Sequence, residues 1–438
     1  MEQVKIEVIR REVVKPSLPS PQDRLRLSIF DLSLPAYVPI IFFYKAEDLV
    51  SVSPEIITRN LKSSLSETLS RFYPLAGRVE GVSINCNDEG VVFTEARTDL
   101  LLPEFLKNIN INSLDRFSPT SPGDSPNEWP LLCVMVTFFG SGSGVAVSVS
   151  FSHMICDAPS MLTFLKNWAT TAAKGKSNDP IHFAETTIYP PPPPPHVSLP
   201  SPSMDHKKAN LTSKFVINRF VFESSRIAEL KRKAASETVP VPTRVEAISA
   251  LIWRCARNAL RSNLLVPRPT LMLQAMNLRL RIPSTVLSRD AVGNLQTTFF
   301  LKKGAESDLE ICETVATFRK AKEEVNDMIK ENLQGSTLGQ YLLRAMGLYE
   351  TEVKPEIDRC SMSSWCRMPF YEVDFGWGSP VWIGLIFDNP RVRIAWLIDS
   401  KDGEGVEACI ILPEQDMSVF IRDQEFLAYA ILNPPVLT

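Results

Sequence analysis

Apolar and small residues alternate along residues 145–152, and this is the clearest structural signal in the chain. One side of the alternation carries Val145, Val147, Val149 and Phe151, and the other carries Ala146, Ser148, Ser150 and Ser152. Successive side chains of a strand point to opposite faces, so the pattern predicts a β-strand. The apolar run 131–139 precedes it, and the glycine-rich stretch 140–144 separates the two. Together these segments predict a β-hairpin.

Other segments show the helical period. An apolar residue recurs at every fourth position from Ile57 to Leu69, after Ser53 and Pro54, which suit a helix start. Further helices are predicted to start near Pro103, to cover 161–172 and 308–332, and to run from a capping box of Thr243 and Glu246 to residue 260. Strands are predicted over 37–44, 215–222 and 271–276, and the stretch 363–412 is rich in strand patterns.

The periodic patterns stop at residues 174–213, near the middle of the chain. This stretch contains Pro180 and a proline run at 190–195. Proline is excluded from helix interiors and central strands, so the stretch predicts an extended crossover. A chain of 438 residues is long enough for two domains of similar size. The predicted fold class is mixed α/β, in two domains.

Composition and charge argue against several classes of function. Lys and Arg number 47 against 50 Asp and Glu, so the net charge of -3 offers no basic excess for nucleic acid. The apolar runs are too short for a membrane span and the N-terminus shows no signal peptide, so we expect a soluble, cytoplasmic protein. The eight cysteines include no CxxC pair, which predicts buried thiols and no zinc or disulfide framework.

One histidine stands out from the other three, which lie in or beside the proline-rich stretch. His153 follows the alternating strand on its apolar side, and Asp157 comes four residues later. Three interpretations stay open on spacing alone: Asp157 caps the next helix, His153 is a satisfied core histidine, or His153 is a general base in a pocket. A metal site is not predicted, because one histidine and one aspartate fall short of the three or four ligands that zinc needs.

A glycine-punctuated aromatic segment covers residues 363–378. It contains Ser363-Ser364-Trp365-Cys366-Arg367, and after a short gap Asp374-Phe375-Gly376-Trp377-Gly378. Its composition alone predicts a buried turn of structural use.

The pair His153-x-x-x-Asp157 and the sequence DFGWG at 374–378 together resemble the motifs of the plant BAHD acyltransferases. Further segments agree with this family's signatures: SIFD at 28–31, YVP at 37–39, FYPLAGR at 72–78, NLRLR at 277–281 and Gly293-Asn294. HxxxD alone is a weak signal, but the ordered set is very specific and covers essentially the whole chain. The resemblance is closest to the vinorine synthase-like branch of alkaloid acetyltransferases, with acylsugar acyltransferases nearby.

The resemblance implies two chloramphenicol-acetyltransferase-like domains with an active-site channel at their interface. The N-terminal domain would cover 1–175, the crossover 176–213 and the C-terminal domain 214–438. Residues near 374–398 would cross back and pack onto the first domain. The CoA thioester would enter the channel from one face and the acceptor from the other.

The resemblance also implies a ternary-complex mechanism without a covalent acyl-enzyme. His153 would take the proton of the acceptor hydroxyl and later return a proton to the CoA thiolate. Trp365, through its indole N–H, and Ser363 would stabilise the oxyanion. The co-substrate would be acyl-CoA, with acetyl-CoA favoured, and no metal or permanently bound cofactor would be needed. The enzyme would act as a monomer and bind neither nucleic acid nor membrane.

Other residues would have structural roles by the same resemblance. Asp157 would point away from the channel and pair with Arg279. The five residues of the DFGWG motif, Asp374, Phe375, Gly376, Trp377 and Gly378, would shape the channel from outside it. Two departures from the common family pattern, Ala158 and Ala291-Val292, remove no catalytic group but leave the shape of the pocket open.

The function that follows is the transfer of an acetyl group from acetyl-CoA to a hydroxyl of a plant specialised metabolite, with an alkaloid alcohol favoured. Terpenoid, naphthoquinone and sugar hydroxyls are alternatives, as is N-acylation of an amine. A catalytically silent binding homologue and a thioester hydrolase are the alternatives from other functional classes.

Overall fold

The computed structural model describes residues 4–32, 36–45, 53–119, 129–184, 214–333, 338–339, 354, 356–386 and 392–436. Its strands are β1 Glu7–Val14, β2 Arg24–Arg26, β3 Tyr37–Lys45, β4 Arg78–Glu80, β5 Ser83–Asn85, β6 Val91–Arg97, β7 Leu132–Phe138, β8 Gly144–Ser152, β9 His182–Phe183, β10 Phe215–Phe222, β11 Thr270–Asn277, β12 Ala291–Val292, β13 Gln296–Lys303, β14 Asp358–Ser364, β15 Trp382–Leu385, β16 Ile394–Asp399, β17 Val406–Pro413 and β18 Ile431–Leu432. Its α-helices are α1 Ile29–Leu32, α2 Pro54–Arg71, α3 Leu102–Lys107, α4 Ala158–Lys174, α5 Ser224–Lys233, α6 Arg244–Ser262, α7 Ile311–Glu331, α8 Glu414–Phe420 and α9 Gln424–Leu427.

Six strands form the first large sheet, in the order β1-β6-β7-β8-β3-β15. The strand with the alternating pattern, β8, lies inside this sheet and is antiparallel to both neighbours, β7 and β3. The hairpin prediction is therefore confirmed. Every residue of β8 is buried, so the face that carries the serines is covered as well as the valine face.

The edge strand β15 of this sheet comes from late in the chain. It pairs antiparallel with β3, so that Trp382 lies opposite Phe43. The next strand, β16, lies in the second sheet between β14 and β17. Within the range 374–398 expected to pack on the first domain, Trp382–Leu385 pairs in the first sheet, and the chain pairs in the second sheet from Ile394. Ile394, Trp396 and Ile398 also pack in or against the first core, so the expected range stays a prediction. The domain bounds proposed from the sequence also stay a prediction.

Seven strands form the second large sheet, in the order β13-β11-β14-β16-β17-β10-β18. The helix α6 packs in the hydrophobic core formed with this sheet. It begins with the capping box expected from the sequence. The backbone N–H of Glu246 donates to the Thr243 hydroxyl at 3.2 Å, and the Glu246 carboxylate accepts from the Thr243 N–H at 2.8 Å. Two helix-start donors are thus satisfied reciprocally.

The helices divide between two hydrophobic cores. In the first core α2 packs against α4, and the Trp168 indole N–H donates to the carbonyl of Leu61 at 3.2 Å. In the second core α6 packs against α5, α7 and α8. None of the helices that the structure describes is long and apolar enough to cross a bilayer.

Some local predictions differ from the structure, and others concern residues that the structure does not describe. Ser53 stands at the N-cap of α2 but makes no capping hydrogen bond through its side chain. The helix expected from residue 308 starts at Ile311. In the crossover, β9 pairs in parallel with β12, and the rest of that stretch, 185–213 with His196 and His206, lies outside the described residues.

Candidate active site

His153 is the first residue after β8, where the first sheet meets residues from the second half of the chain. Its backbone N–H donates to the carbonyl of Ala36 at 2.7 Å. Its half-buried ring contacts Asn294, with 3.1 Å between Nδ1 and the amide oxygen. Burial lowers the pKa of the imidazole below its usual 6.5, although a hydrogen bond to the backbone of His153 itself, the charge of Asp157 and the contact with Asn294 oppose this. The ring is therefore neutral at pH 7 and able to accept a proton.

Both oxygens of the buried Asp157 carboxylate accept hydrogen bonds. It is the N-cap of α4, where its Oδ1 accepts from the backbone N–H and the hydroxyl of Ser160 at 3.0 and 2.7 Å. Its carboxylate also binds Arg279 through two hydrogen bonds of 2.7 and 3.0 Å and accepts from the N–H of Leu295 at 3.0 Å. Burial alone would raise the pKa of this carboxyl, but Arg279 and the other donors hold it below its usual value. Both the cap and the ion pair expected from the sequence are present.

The Arg279 side chain joins the two halves of the chain at this point. Its Nε donates to the carbonyl of Ala291 at 2.8 Å, and its Nη2 to the hydroxyl of Ser160 at 2.9 Å. Ser160 in turn accepts from the backbone N–H of Gly293 at 3.0 Å. The start of α4 is thereby tied to the loop that carries Asn294.

Two residues that had no role assigned from the sequence complete the site. The amide nitrogen of Asn294 donates to Asp31 Oδ1 at 2.8 Å and to the carbonyl of His153 at 2.6 Å. Asp31 also accepts from the backbone N–H and the hydroxyl of Ser28, both at 2.7 Å. Burial raises the pKa of Asp31 to about 6, although these hydrogen bonds oppose it. The only sequence signal for either residue is its place in a family signature.

The two residues expected to donate to an oxyanion lie on the second sheet. Ser363 is in β14 and Trp365 directly follows that strand. The backbone N–H of Trp365 donates to the carbonyl of Leu397 at 2.7 Å, and its buried ring lies 5.3 Å from the ring of Phe370. The structure does not bring these side chains into hydrogen-bond contact with His153, so their role stays a prediction.

The DFGWG motif forms a tight turn on the first core. Asp374 Oδ1 accepts from the backbone N–H groups of Gly376, Trp377 and Gly378 at 2.7, 2.8 and 2.8 Å. Gly376 and Gly378 have φ angles of 94° and 83°, which L side chains rarely adopt. The rings of Phe375 and Trp377 are buried, and both contact the ring of Tyr44 edge-on. The motif is therefore a packed turn, as its composition predicted.

Two recesses lie next to the cluster of His153, Asn294 and Asp31, and Met154 lines both. One is an open recess of about 400 Å³, counting space open to solvent, and is lined by residues that include Ser28, Asp31 and Asn294. The other is an open recess of about 300 Å³ on the same basis and is lined by residues that include Tyr37, Trp129 and Ser152. Within the described ranges no three His, Cys, Asp or Glu side chains are grouped so that they could hold a metal ion.

Comparison with known proteins gives the family. The model of a family described as the Transferase family matches residues 4–427. The BAHD acyltransferase BIA1 of Arabidopsis thaliana is 66% identical, over 99% of this chain and 100% of that protein. Stemmadenine O-acetyltransferase of Catharanthus roseus is 32% identical, over 95% of this chain and 96% of that protein.

A solved structure supports the same assignment. The crystal structure of vinorine synthase superposes with a TM-score of 0.80 at 30% identity, covering 97% of this chain and 98% of that one. This match confirms the predicted fold class, mixed α/β with the two-domain BAHD architecture. The chain therefore belongs to the BAHD family and is an acyltransferase whose co-substrate is an acyl-CoA.

Proposed function

We propose that the chain transfers an acetyl group from acetyl-CoA to a hydroxyl of a plant specialised metabolite, with an alkaloid alcohol as the acceptor. The observation that carries this proposal is the placement of His153, whose neutral, half-buried ring lies where β8 meets the loop that contains Asn294. Relatives of the chain include stemmadenine O-acetyltransferase, which supports the choice of an acetyl group and of a hydroxyl acceptor.

The reaction needs only groups that this chain and its substrates supply. His153 accepts the hydroxyl proton while the acceptor oxygen attacks the thioester carbonyl, and a tetrahedral oxyanion forms. As the C–S bond breaks, the imidazolium returns the proton to the CoA thiolate. General-base catalysis of this kind contributes about 10²–10⁴-fold to the rate. No acyl-enzyme forms, because acceptor and thioester meet in one ternary complex.

The remaining residues have supporting roles in this proposal. Trp365, through its indole N–H, and Ser363 donate to the oxyanion. Asp157 takes no proton, because its oxygens are already occupied by Arg279, Ser160 and Leu295. It acts instead with Arg279 to hold the segment that carries His153. The channel runs between domains bounded as expected, 1–175 and 214–438, and the protein acts in the cytoplasm as a monomer.

The test measures CoA release and product mass with acetyl-CoA and a panel of alkaloid, terpenoid and sugar alcohols and matched amines. We expect an alcohol-dependent acetyl ester whose formation falls about 10²–10⁴-fold in His153→Ala. His182→Ala is the matched control, because His182 is an exposed histidine on β9 and should keep full activity. Ester formation at the wild-type rate in His153→Ala would overturn the proposed base.

The other products distinguish the alternatives. An acetamide without any ester would replace O-acylation by N-acylation. Release of CoA without an acceptor would indicate a thioester hydrolase. Binding of CoA without turnover of acetyl-CoA or of longer acyl-CoAs would indicate a silent homologue.

A further inference from the structure

We propose that Asn294, itself held by Asp31, fixes His153 in the tautomer that carries its proton on Nδ1, so that Nε2 is the atom that takes the acceptor's proton. Asp31 and Asn294 are then positioning residues, since neither needs to touch a substrate. The catalytic consequence rests on the proposed function. The tautomer itself is a property of the free protein and can be measured without any substrate.

The orientation of the Asn294 amide follows from its neighbours. One end of the amide lies 2.6 Å from the carbonyl oxygen of His153 and 2.8 Å from Asp31 Oδ1. Both neighbours accept hydrogen bonds, so the NH₂ group must occupy this end. The amide oxygen therefore faces His153 Nδ1 at 3.1 Å. Because that oxygen can only accept, Nδ1 must carry the proton.

Asp31 is fixed in its own orientation by Ser28. The backbone N–H and the hydroxyl of Ser28 both donate to Asp31 Oδ2, each at 2.7 Å. This leaves Oδ1 to accept from Asn294. Asp31 is 8% exposed and Asn294 is 4% exposed. Water therefore has little access to replace these hydrogen bonds, and a reversed amide would leave buried groups without matching partners.

The three residues come from distant parts of the chain. Asp31 lies in α1, His153 follows β8, and Asn294 lies between β12 and β13. The contact between Asn294 and His153 therefore forms only when the loop after β12 packs on the first sheet. The two halves of the chain must fold against each other before Asn294 can orient the imidazole.

An isosteric variant gives the sharpest test. In Asp31→Asn the new amide oxygen would replace Oδ2, because the Ser28 N–H can only donate, and the new NH₂ would face the NH₂ of Asn294. A reversed Asn294 amide would satisfy the new NH₂ but would set its oxygen against the carbonyl oxygen of His153, which lies 2.6 Å from that end of the amide. Neither orientation satisfies both neighbours, so Asn294 should no longer hold its oxygen against His153 Nδ1, and both tautomers of the ring should be populated. A ring with its proton on Nε2 cannot take the acceptor's proton, so kcat should fall in proportion to the fraction of that tautomer, with little change in KM.

The tautomer is measured at pH 7.5 by ¹⁵N NMR of protein labelled at histidine, in which only four histidines contribute. The signals of His153 are those lost in His153→Ala. We expect the Nδ1–H pattern in the wild type and a mixture of the two tautomers in both Asp31→Asn and Asn294→Ala. Asn112→Ala is the control, because its amide joins the two halves at Ile217, away from His153, and should keep the Nδ1–H pattern.

Two results would overturn the proposal. One is an Nε2–H pattern in the wild type. The other is an unchanged Nδ1–H pattern in Asn294→Ala, which also serves if Asp31→Asn fails to fold. Failure of the proposed function would look different, because His153→Ala would then retain activity whatever the tautomer.

Discussion

Asp157 and Arg279 are separated by 122 positions in the chain, yet their side chains form a two-hydrogen-bond ion pair in which each is only 2% exposed. Removing one partner of such a pair leaves an uncompensated buried charge, which costs about 3–5 kcal/mol. We therefore expect Asp157→Ala to lower the free energy of unfolding by about that amount, measured by urea denaturation. His153→Ala should unfold much closer to the wild type.

The exposed pair of Glu7 and Arg97 is the matched control for Asp157→Ala. Its side chains are 59% and 60% exposed, and Glu7→Ala should change stability by less than about 1 kcal/mol. Equal denaturation midpoints for Asp157→Ala and Glu7→Ala would contradict the structural role of the buried pair.

Titration of Asp31 and titration of His153 should change the free energy of unfolding in opposite directions as pH rises. Burial raises the pKa of Asp31 from 3.8 to about 6, so the folded state holds a proton that the unfolded state has lost in that window. Stability due to Asp31 therefore falls as pH rises from about 4 to 6, by roughly 3 kcal/mol at most. Burial lowers the pKa of His153 below 6.5, so its contribution falls as pH drops below 6.5.

Single variants separate these two opposing slopes. Between pH 4 and pH 7, Asp31→Asn should gain stability relative to the wild type as pH rises. His153→Ala should gain stability relative to the wild type as pH falls below 6.5. Urea denaturation at several pH values measures both differences, and a difference that stays constant with pH would refute the corresponding burial effect.

Elements with a strong local signal were predicted well from the sequence. The strand β8 follows from strict alternation, and α6 from a capping box whose two hydrogen bonds depend only on residues three apart. The start of α7 was misplaced, because its N-cap, Glu310, makes no side-chain capping bond that would mark the boundary.

Contacts between distant residues could not be derived from the local pattern. Asn294 contacts His153 across 141 positions and Asp31 across 263 positions. No periodicity encodes such partners, so the sequence identified His153 but not what orients it. For the same reason the local pattern did not show that Trp382–Leu385 pairs with β3 of the first sheet.

The turn of the DFGWG motif is expected to contribute stability and to support acyl-CoA binding. Asp374→Ala removes one acceptor from three N–H groups and should cost about 2–3 kcal/mol. Gly376→Ala should cost about 1–3 kcal/mol, because its φ of 94° strains any L side chain. Thermal denaturation measures the loss of stability in both variants, and calorimetric titration with CoA measures the expected loss of CoA affinity.

A similar turn between β16 and β17 supplies the control for these variants. Asp402 accepts from the N–H groups of Glu404 and Gly405, and Gly403 has a φ of 73°. Asp402→Ala and Gly403→Ala should destabilise the protein without changing CoA affinity. A loss of CoA affinity in these variants equal to that in Asp374→Ala would mean that the DFGWG turn has no specific effect on the CoA side.

A buried cluster joins the two large sheets away from His153. Arg219 of β10 donates through Nε to Glu407 of β17 at 2.6 Å, and the two side chains are 5% and 9% exposed. Trp382 of β15 donates its indole N–H to the same carboxylate at 3.1 Å. The Trp382 ring is stacked on Phe43 of β3, with 5.4 Å between ring centroids. The strand that crosses to the first sheet is thereby held by an ion pair in the second.

Glu407→Ala should therefore be among the most destabilising single changes outside the candidate site. It leaves the Arg219 guanidinium buried without its counter-charge, which costs about 3–5 kcal/mol, and it also leaves the Trp382 N–H without an acceptor. Trp382→Phe keeps an aromatic ring beside Phe43 but removes the indole donor and part of a buried ring system, so it should cost about 1–3 kcal/mol. A double variant, Arg219→Met with Glu407→Leu, should recover much of the loss, because apolar residues can replace a buried ion pair. Chemical denaturation of the three variants measures these differences, and a double variant less stable than Glu407→Ala would contradict the assignment of the cost to the unpaired charge.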